Sequence, residues 1–446
     1  MSAQDANAEY GEYLRGLAVL NSLIRGERAG PDTPRDRRTR AMRRLERTGQ
    51  ILKALGTPQD TYATIHVTGT SGKGSTAAAI AAILTSAGYR TGLRTSPYLQ
   101  VATEKLQISQ RLIDGDAFAR VVDAVFSVAE RLGLAPLVYT EAWSAVSYLW
   151  FAQRQVDVAV IEVGAGGRFD ATNVITPEVS VITSVGMDHV VSLGPTLADI
   201  AWHKAGIIKR GRPVVIGELR REALTVVAHE ATILDAPLLR ATALAPELET
   251  GMRGAFQTAN AGVALGVMKA LRARGRAIPQ AAVQAGLAAA RLPGRLEYMP
   301  GSDPGIWLDG AHNADKVDAL VRSLSEISND KPVFVIGALG SKDIDAMAGA
   351  VATAASAVIC TEPQVLGKRA LPAKDCANAL RAAGFTGPLT CEPDPRLAVV
   401  EAEALGRARE EPVVVTGSLY LVGDVRRRWF PDEAIVTQRT PWPRVT

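Results

Sequence analysis

The stretch Gly69-Thr70-Ser71-Gly72-Lys73-Gly74-Ser75-Thr76 gathers residue types that bind phosphate. Glycines let backbone N–H groups approach phosphate oxygens closely, Lys73 adds a cation with reach to the outer phosphates, and a hydroxyl such as that of Ser75 suits Mg²⁺. The order departs from the strict pattern G-x-x-x-x-G-K-[ST]. Val67 stands where its first glycine belongs, and Gly74 separates Lys73 from Ser75. A glycine-rich turn with no ligand is the alternative reading. Against it stands the context, a β-rich run before the turn and an alanine-rich helical pattern after it, so that the turn would sit at a helix N-terminus where anions are favoured.

Stepping outward, the chain from Thr64 alternates short Val/Ile-rich runs with Ala- and Leu-rich helical stretches, the pattern of a parallel sheet covered by helices. The runs near 63–69, 156–164, 179–186 and 212–217 are near-continuous apolar segments bounded by Gly or Pro, as expected for buried central strands. The stretches STAAAIAAILTSAG and TEAWSAVSYLWFAQR read as helices. A second series follows Arg291-Leu292-Pro293-Gly294, with strands expected in GIWLDG, PVFVIGALG, SAVICTE and PVVVTGS, which places a domain boundary near residue 296.

The turn, in the form strand, G-T-x-G-K-G-S, helix, resembles the ATP-binding loop of the Mur ligase superfamily in its folylpolyglutamate synthase and dihydrofolate synthase branch. The resemblance continues in order through Glu162 to Asn173 (EVGAGGRFDATN), Thr183 to His189 (TSVGMDH), Lys204 to Lys209 (KAGIIK), Pro293 to Glu297 (PGRLE), Asp309 to Asn313 (DGAHN) and Thr416 to Tyr420 (TGSLY). It implies an α/β fold in which an N-terminal P-loop-type, mostly parallel-sheet ATPase domain over residues 1–295 precedes a smaller Rossmann-like α/β C-terminal domain over residues 296–446. The implied activity is ATP-dependent amide formation, in which L-glutamate is joined to folate or to dihydropteroate through an acyl phosphate. Such a reaction is mostly a task of positioning and charge neutralisation, since the phosphoryl oxygens and the carboxylate repel each other.

The same resemblance distributes the roles. Gly69 to Thr76 would hold ATP, with Lys73 on its phosphates. Ser75, Glu162 and His189 would hold one Mg²⁺, and Lys204, carried as a carbamate, would help hold a second. Mg²⁺ prefers oxygen ligands, so His189 enters through the motif alone. The alternative for Lys204 is an ordinary helix-surface lysine; carbamate formation needs the free amine and hence a lowered pKa or trapping by metal. Arg295 is expected near the ATP phosphates, Asp309 against the ribose, and His312 and Ser418 beside the incoming glutamate. Asn260 falls in a short block on the adenine side, with a helix cap as the competing reading. Asp170 and Tyr98 complete the substrate residues, Tyr98 near the acyl acceptor. Domain closure over both substrates would exclude water from the acyl phosphate.

Four positions depart from the family pattern: Tyr98 replaces a histidine, Lys105 an arginine, His203 a glutamate and Ser71 an asparagine. Tyr98 and Lys105 bear on acceptor identity, because a planar arginine and a lysine point charge recognise carboxylates differently. They keep open an amide ligase acting on another carboxylate. A nucleotide-dependent switch without catalysis is disfavoured by the joint presence of Lys73, Ser75, Glu162, His189, Lys204 and His312.

The composition constrains the rest. The chain has 446 residues, 47% of them hydrophobic, with 50 Lys+Arg against 46 Asp+Glu for a net charge of +4. That balance excludes a disordered chain and gives no hint of a nucleic-acid or membrane partner. Residues 25–47 hold nine arginines against four acids, but no aromatic residue interleaves with them, and they read as a solvated loop and helix face. No apolar run reaches the roughly 18–20 residues of a membrane helix. With a polar N-terminus, the expectation is a cytoplasmic monomer. Cys360, Cys376 and Cys391 lie in no CxxC pair and are expected as buried apolar residues of a reducing compartment.

Overall fold

The computed structural model describes residues 3–24, 33–245, 247–328 and 330–444. Two sheets organise the chain. The first is built from β1 (Ala63–Thr68), β2 (Thr91–Arg94), β3 (Leu106–Ile108), β4 (Arg111–Leu112), β5 (Val158–Glu162), β6 (Val179–Ile182), β7 (Val214–Ile216) and β8 (Leu238–Arg240). The second contains β9 (Glu297–Tyr298), β10 (Ile306–Leu308), β11 (Val333–Ile336), β12 (Ala357–Cys360), β13 (Leu389–Cys391) and β14 (Val413–Thr416).

The first sheet runs β4-β3-β2-β5-β1-β6-β7-β8, parallel from β2 to β8 with β3 and β4 antiparallel at one edge. The second runs β13-β12-β11-β14-β10-β9, parallel except for β9. The eight strands expected from the sequence are all present. Most of their residues are buried on both faces, which near-continuous runs of Val and Ile suit. This is the two-domain α/β fold with mostly parallel sheets that the sequence implied.

β1 lies between β5 and β6, in register so that Val67 faces Glu162 and Thr68 faces Ile182. The phosphate turn, Glu162 and Thr183 therefore leave the sheet side by side at the carboxyl ends of three adjacent strands, where open parallel sheets bind ligands. In the second sheet β10 and β14 are neighbours, so Asp309 and Ser418 likewise sit just past adjacent strand ends.

The helix Lys73–Ser86 is almost wholly buried, and its alanines permit close approach on every side. A Cβ at Gly286 would run into the backbone of Ile83, so the helix Gln280–Ala289 packs against it with no side chain between. The helix Pro34–Ala54 begins at a Thr33 cap reciprocated by Asp36.

Each sheet has a core of its own on one face, and the two also share one. One apolar cluster runs from Phe118, Trp143 and Tyr148 through Leu99 to Leu421 and Val422, and on to Ile306 and Val413 of the second sheet. Arg426 fastens the same junction. Fully buried, it forks onto Glu297 at 2.9 and 2.8 Å and donates to Gln100 Oε1 at 2.6 Å and to the Pro441 carbonyl at 2.7 Å.

Cys360 and Cys376 are buried, but Cys391 is exposed, because β13 is an edge strand. The arginine-rich segment is not simply a solvated face. Arg40, Arg43, Arg44 and Arg47 line a cavity, and Arg47 pairs at 3.0 Å with the buried Glu141. The aromatic neighbours that the segment itself lacks come from other elements. The part of that reading on residues 25–32 lies outside the described residues.

Candidate active site

The phosphate turn is held from below by the strand beside it. Thr70 N–H donates to the Ser184 carbonyl at 3.0 Å, Ser71 N–H donates to Ser184 Oγ at 2.9 Å, and Thr183 Oγ1 donates to the Ser71 carbonyl at 2.6 Å. Serine at position 71 thus contributes to the turn through its backbone. Gly72 has φ 81°, a left-handed conformation, and a Cβ there would collide with Asn260 Oδ1. Asn260 lies inside the helix Ala255–Ala273, whose cap is Gly254, so the helix-cap alternative is removed. Its side chain abuts the turn itself and donates to Gln257 Oε1.

Lys73 opens the helix after the turn and bends back so that Nζ donates to the Gly69 carbonyl at 2.9 Å. Burial pushes its pKa down, opposed by the charges of Glu162 and Asp188. Glu162 is the mirror case: burial raises its carboxyl while Lys73 and the Ser96 N–H, at 2.9 Å, pull it back. A Cβ on Gly74 would stand 3.4 Å from Glu162 Oε2. The carboxylate thus lies beside the turn, and Ser75, the next residue, is buried.

Lys204, on the helix Leu197–Ala205, is buried and not a surface residue. Burial and then Lys73 push its pKa well below the usual lysine range. His189 stands apart from the expectation of a strand-end residue. It is seven residues beyond Ile182, half exposed, at φ 54°, where it caps the short helix Val190–Leu193. Among the described residues no three His, Cys, Asp or Glu side chains form a ready metal cluster. The oxygen donors Ser75 and Glu162 do suit Mg²⁺, a hard cation.

Asp170 acts on its own loop: Oδ1 accepts from Thr172 N–H and Oγ1, and Oδ2 from Ala165 N–H. His203 packs edge-on against Trp202 and Phe169. Tyr98 and Lys105 are brought together. Lys105 is buried over the rings of Trp143, Tyr139 and Tyr98, at 4.5, 5.3 and 6.0 Å, and burial lowers its pKa to about 7.

The second sheet turns a set of cations toward the first. Arg295 acts electrostatically on Lys73, Glu162, Asp309 and His312. Both oxygens of the buried Asp309 accept backbone N–H groups at 2.8 Å, from Leu296 and Ala311, so the carboxylate fixes the segment that carries Arg295. Ser418 caps the helix Leu419–Arg426 and accepts from Tyr420 N–H. His312 Nδ1 lies 2.9 Å from the Gly310 carbonyl, which assigns it the proton, and Nε2 then accepts from Lys316 Nζ at 3.0 Å.

Lys316 and Lys342 were not singled out from the sequence. Burial and Lys73 lower the Lys316 pKa to about 7. Lys342 reaches across the cleft to Asp188 at 3.3 Å. The only sequence cue to Lys316 was its position four residues after His312, one helical turn on. Together Lys73, Lys204, Lys316 and Arg295 bring four cationic groups to one partly buried cleft beside Glu162 and Asp188, an arrangement suited to a polyanion.

Comparison with known proteins follows the same division. The Mur ligase middle domain matches residues 67–229, and the Mur ligase glutamate ligase domain matches residues 294–419. A folylpolyglutamate synthase of Lacticaseibacillus casei is 36% identical over 419 residues, covering 86% of this chain and 95% of that one. A dihydrofolate synthase/folylpolyglutamate synthase of Bacillus subtilis is 33% identical over 414 residues, covering 86% and 94%. The solved structure of Mycobacterium tuberculosis folylpolyglutamate synthase complexed with ADP superposes with a TM-score of 0.83 at 29% identity, covering 95% of this chain and 99% of that one. Likeness of this depth over nearly the whole of both chains, on a cleft built for phosphate, makes this protein a member of the folylpolyglutamate synthase/dihydrofolate synthase family of Mur ligases, an ATP-dependent amide ligase that forms ADP.

Proposed function

We propose that the protein joins L-glutamate to the carboxylate of a folate, of dihydropteroate, or of both. The observation that carries this reading is that Lys73, Lys204, Lys316 and Arg295 act electrostatically on one another, and that Glu162 and Arg295 line a narrow cleft joined through Tyr98 to the larger cavity that Lys105 lines. A carboxylate oxygen attacks the γ-phosphorus of ATP and ADP leaves. The glutamate amine then attacks the acyl carbon, phosphate leaves, and the ammonium proton is lost to a base.

Lys73 and Arg295 would neutralise the phosphoryl oxygens while the two anions are aligned, and Lys316, held by His312, would present its remaining N–H groups from the other side. Ser75 and Glu162 would hold Mg²⁺, which when bound masks phosphate charge. His189 would join them if the cleft closes on its loop. The depressed pKa of Lys204 supplies the free amine that adds CO₂ as a carbamate, releasing a proton. Gly69 to Thr76 and Asn260 would cradle the nucleotide, Asp309 would approach its ribose, and Ser418 and His312 the glutamate; Asp170 would act by shaping the loop beside the acceptor. We divide the domains at residues 295/296, a reading supported by the start of the second sheet at Glu297. An ATP-consuming monomer in the cytoplasm fits this chemistry.

The test is ADP release with ATP, Mg²⁺ and L-glutamate, comparing dihydropteroate, tetrahydrofolate and no acceptor. Stimulation by a pterin is expected, and a Lys73→Ala variant should stay folded and lose about 10²–10³-fold in kcat, the scale of a lost electrostatic donor. Silence with both pterins would reject the folate reading and favour another carboxylate, the reading that Tyr98 and Lys105 keep open.

A further inference from the structure

His66 lies in the middle of the first sheet and has no part in the chemistry above. It is fully buried on β1, level with Ile161 of β5 and Ser180 of β6, shortly before the phosphate turn begins at Gly69. Successive side chains of a strand alternate in direction. Ile65 and Val67 enter the apolar cluster around the helix Lys73–Ser86, so His66 and Thr68 point to the other face, toward the loop from Gly164 to Asn173. Both reach it: Thr68 Oγ1 donates to the Gly166 carbonyl at 2.6 Å, and His66 Nε2 lies 2.9 Å from Thr172 Oγ1.

The place of each proton follows from the donors and acceptors. The Asp170 carboxylate can only accept, so the Thr172 hydroxyl, 2.6 Å from its Oδ1, gives its single proton there. That hydroxyl therefore accepts from His66, whose ring proton is on Nε2. Nδ1 is left as a buried acceptor that no donor meets among the described residues. Burial, and then the charges of Lys209 and Arg94, push the pKa of the ring well below the ordinary histidine range, so it donates as a neutral group. An orphaned buried acceptor costs stability, and an apolar side chain would remove that cost. Packing alone does not account for a histidine here.

What the histidine serves is Asp170. The charge of Asp170 bears both on Lys73 of the phosphate turn and on Lys105 of the cavity beside Tyr98. The backbone of its loop is secured separately, at Gly166 by Thr68 and at the Thr172 carbonyl by the Tyr148 hydroxyl at 2.7 Å. We propose that His66 is a positioning residue for amide formation: through the Thr172 hydroxyl it fixes the Asp170 carboxylate, so that the strand carrying the phosphate turn also sets where the acceptor side of the cleft stands. The acceptor side of this claim rests on the ligase reading above; the relay itself does not. A donor behind Thr172 holds its side chain in one rotamer, and a hydroxyl that accepts a hydrogen bond is the stronger donor for it.

The experiment compares the wild type with His66→Leu, His66→Gln and His66→Asn. The readouts are thermal melting, ATP binding by calorimetry, ADP release with whichever pterin stimulates the wild type, and nitrogen NMR of histidine-labelled protein. Glutamine carries an N–H about as far out as Nε2, whereas asparagine ends one bond shorter, near Nδ1. His66→Leu should melt no lower than wild type and bind ATP within about twofold, while kcat/KM for the acceptor falls about tenfold, the scale of one hydrogen bond in a charged network. His66→Gln should recover most of that loss and His66→Asn little of it. In the wild type the His66 ring should show a protonated Nε2 and a bare Nδ1, and Thr172→Val should shift the Nε2 signal. Wild-type activity in His66→Leu, an equal fall in its ATP affinity, or equal recovery by glutamine and asparagine would overturn the proposal, as would a proton on Nδ1. Absence of ADP release with every pterin would overturn the acceptor reading instead; the relay then stands on a protonated Nε2 that moves in Thr172→Val, and falls without it.

Discussion

At the residue scale the cleft is held in electrostatic tension. Lys316 is a lysine whose ammonium, in the folded protein, gives up its proton near pH 7, against 10.5 for an ordinary lysine. Between those values the unfolded chain binds more protons than the folded one, so this residue makes stability rise with pH. Its penalty is full below about pH 7 and fades toward pH 10.5. A Lys316→Met variant should therefore raise the melting temperature by a few degrees at pH 6 and by less at pH 9, while kcat falls at least tenfold. Thermal melts at the two pH values check the first part, and an equal gain at both would show that buried charge is not the cause. The trade is the usual one, stability given up at a site so that it binds its ligand. The sequence disclosed part of this centre. Lys73, Glu162, Lys204 and Arg295 sit in runs whose order is itself a signal, whereas Lys316 and Lys342 matter only through what the fold sets opposite them.

At the scale of elements, β1, β5 and β6 fix the phosphate turn, and Gly72 fixes the turn against the helix Ala255–Ala273. Gly72→Ala would meet two obstacles, a left-handed φ of 81° and Asn260 Oδ1. We expect a loss of about 1–3 kcal/mol in stability together with weaker ATP binding. Adding Asn260→Gly should return only the part due to the contact, and urea unfolding of the single and double variants separates the two. A G72A protein as stable as wild type would reject the strain argument. The central strands were readable because burial on both faces demands unbroken apolar runs. Other strands were not: the edge strands β4 and β9 are two residues long each, and β2, an interior strand, contains Thr91, Gly92 and Arg94 in four residues. The surroundings of the arginine helix are hidden from the sequence for a related reason. Arg38 lies over the rings of Phe169 and Trp202, and Tyr10, Tyr98, Tyr139 and Tyr420 share the cavity with Arg40, Arg43, Arg44 and Arg47; the chain supplies these rings from widely separated positions and only the fold assembles them.

At the scale of the molecule, the junction at Arg426 ties the first domain to the second through Gln100 and Glu297. Arg426→Ala should cost about 3–5 kcal/mol, because Glu297 would remain buried without its partner. Urea midpoints would show it, and a change below about 1 kcal/mol would mean that the fork is replaced by water. The apolar cluster around Leu99, Leu421 and Val422 makes the same junction greasy as well as ionic. Two domains that share one oil-filled seam cannot melt independently, since freeing either one bares the other's interior. Calorimetry of the ligand-free chain should accordingly give a single heat-absorption peak whose van't Hoff and measured enthalpies agree, and Arg426→Ala should be the substitution that splits it in two.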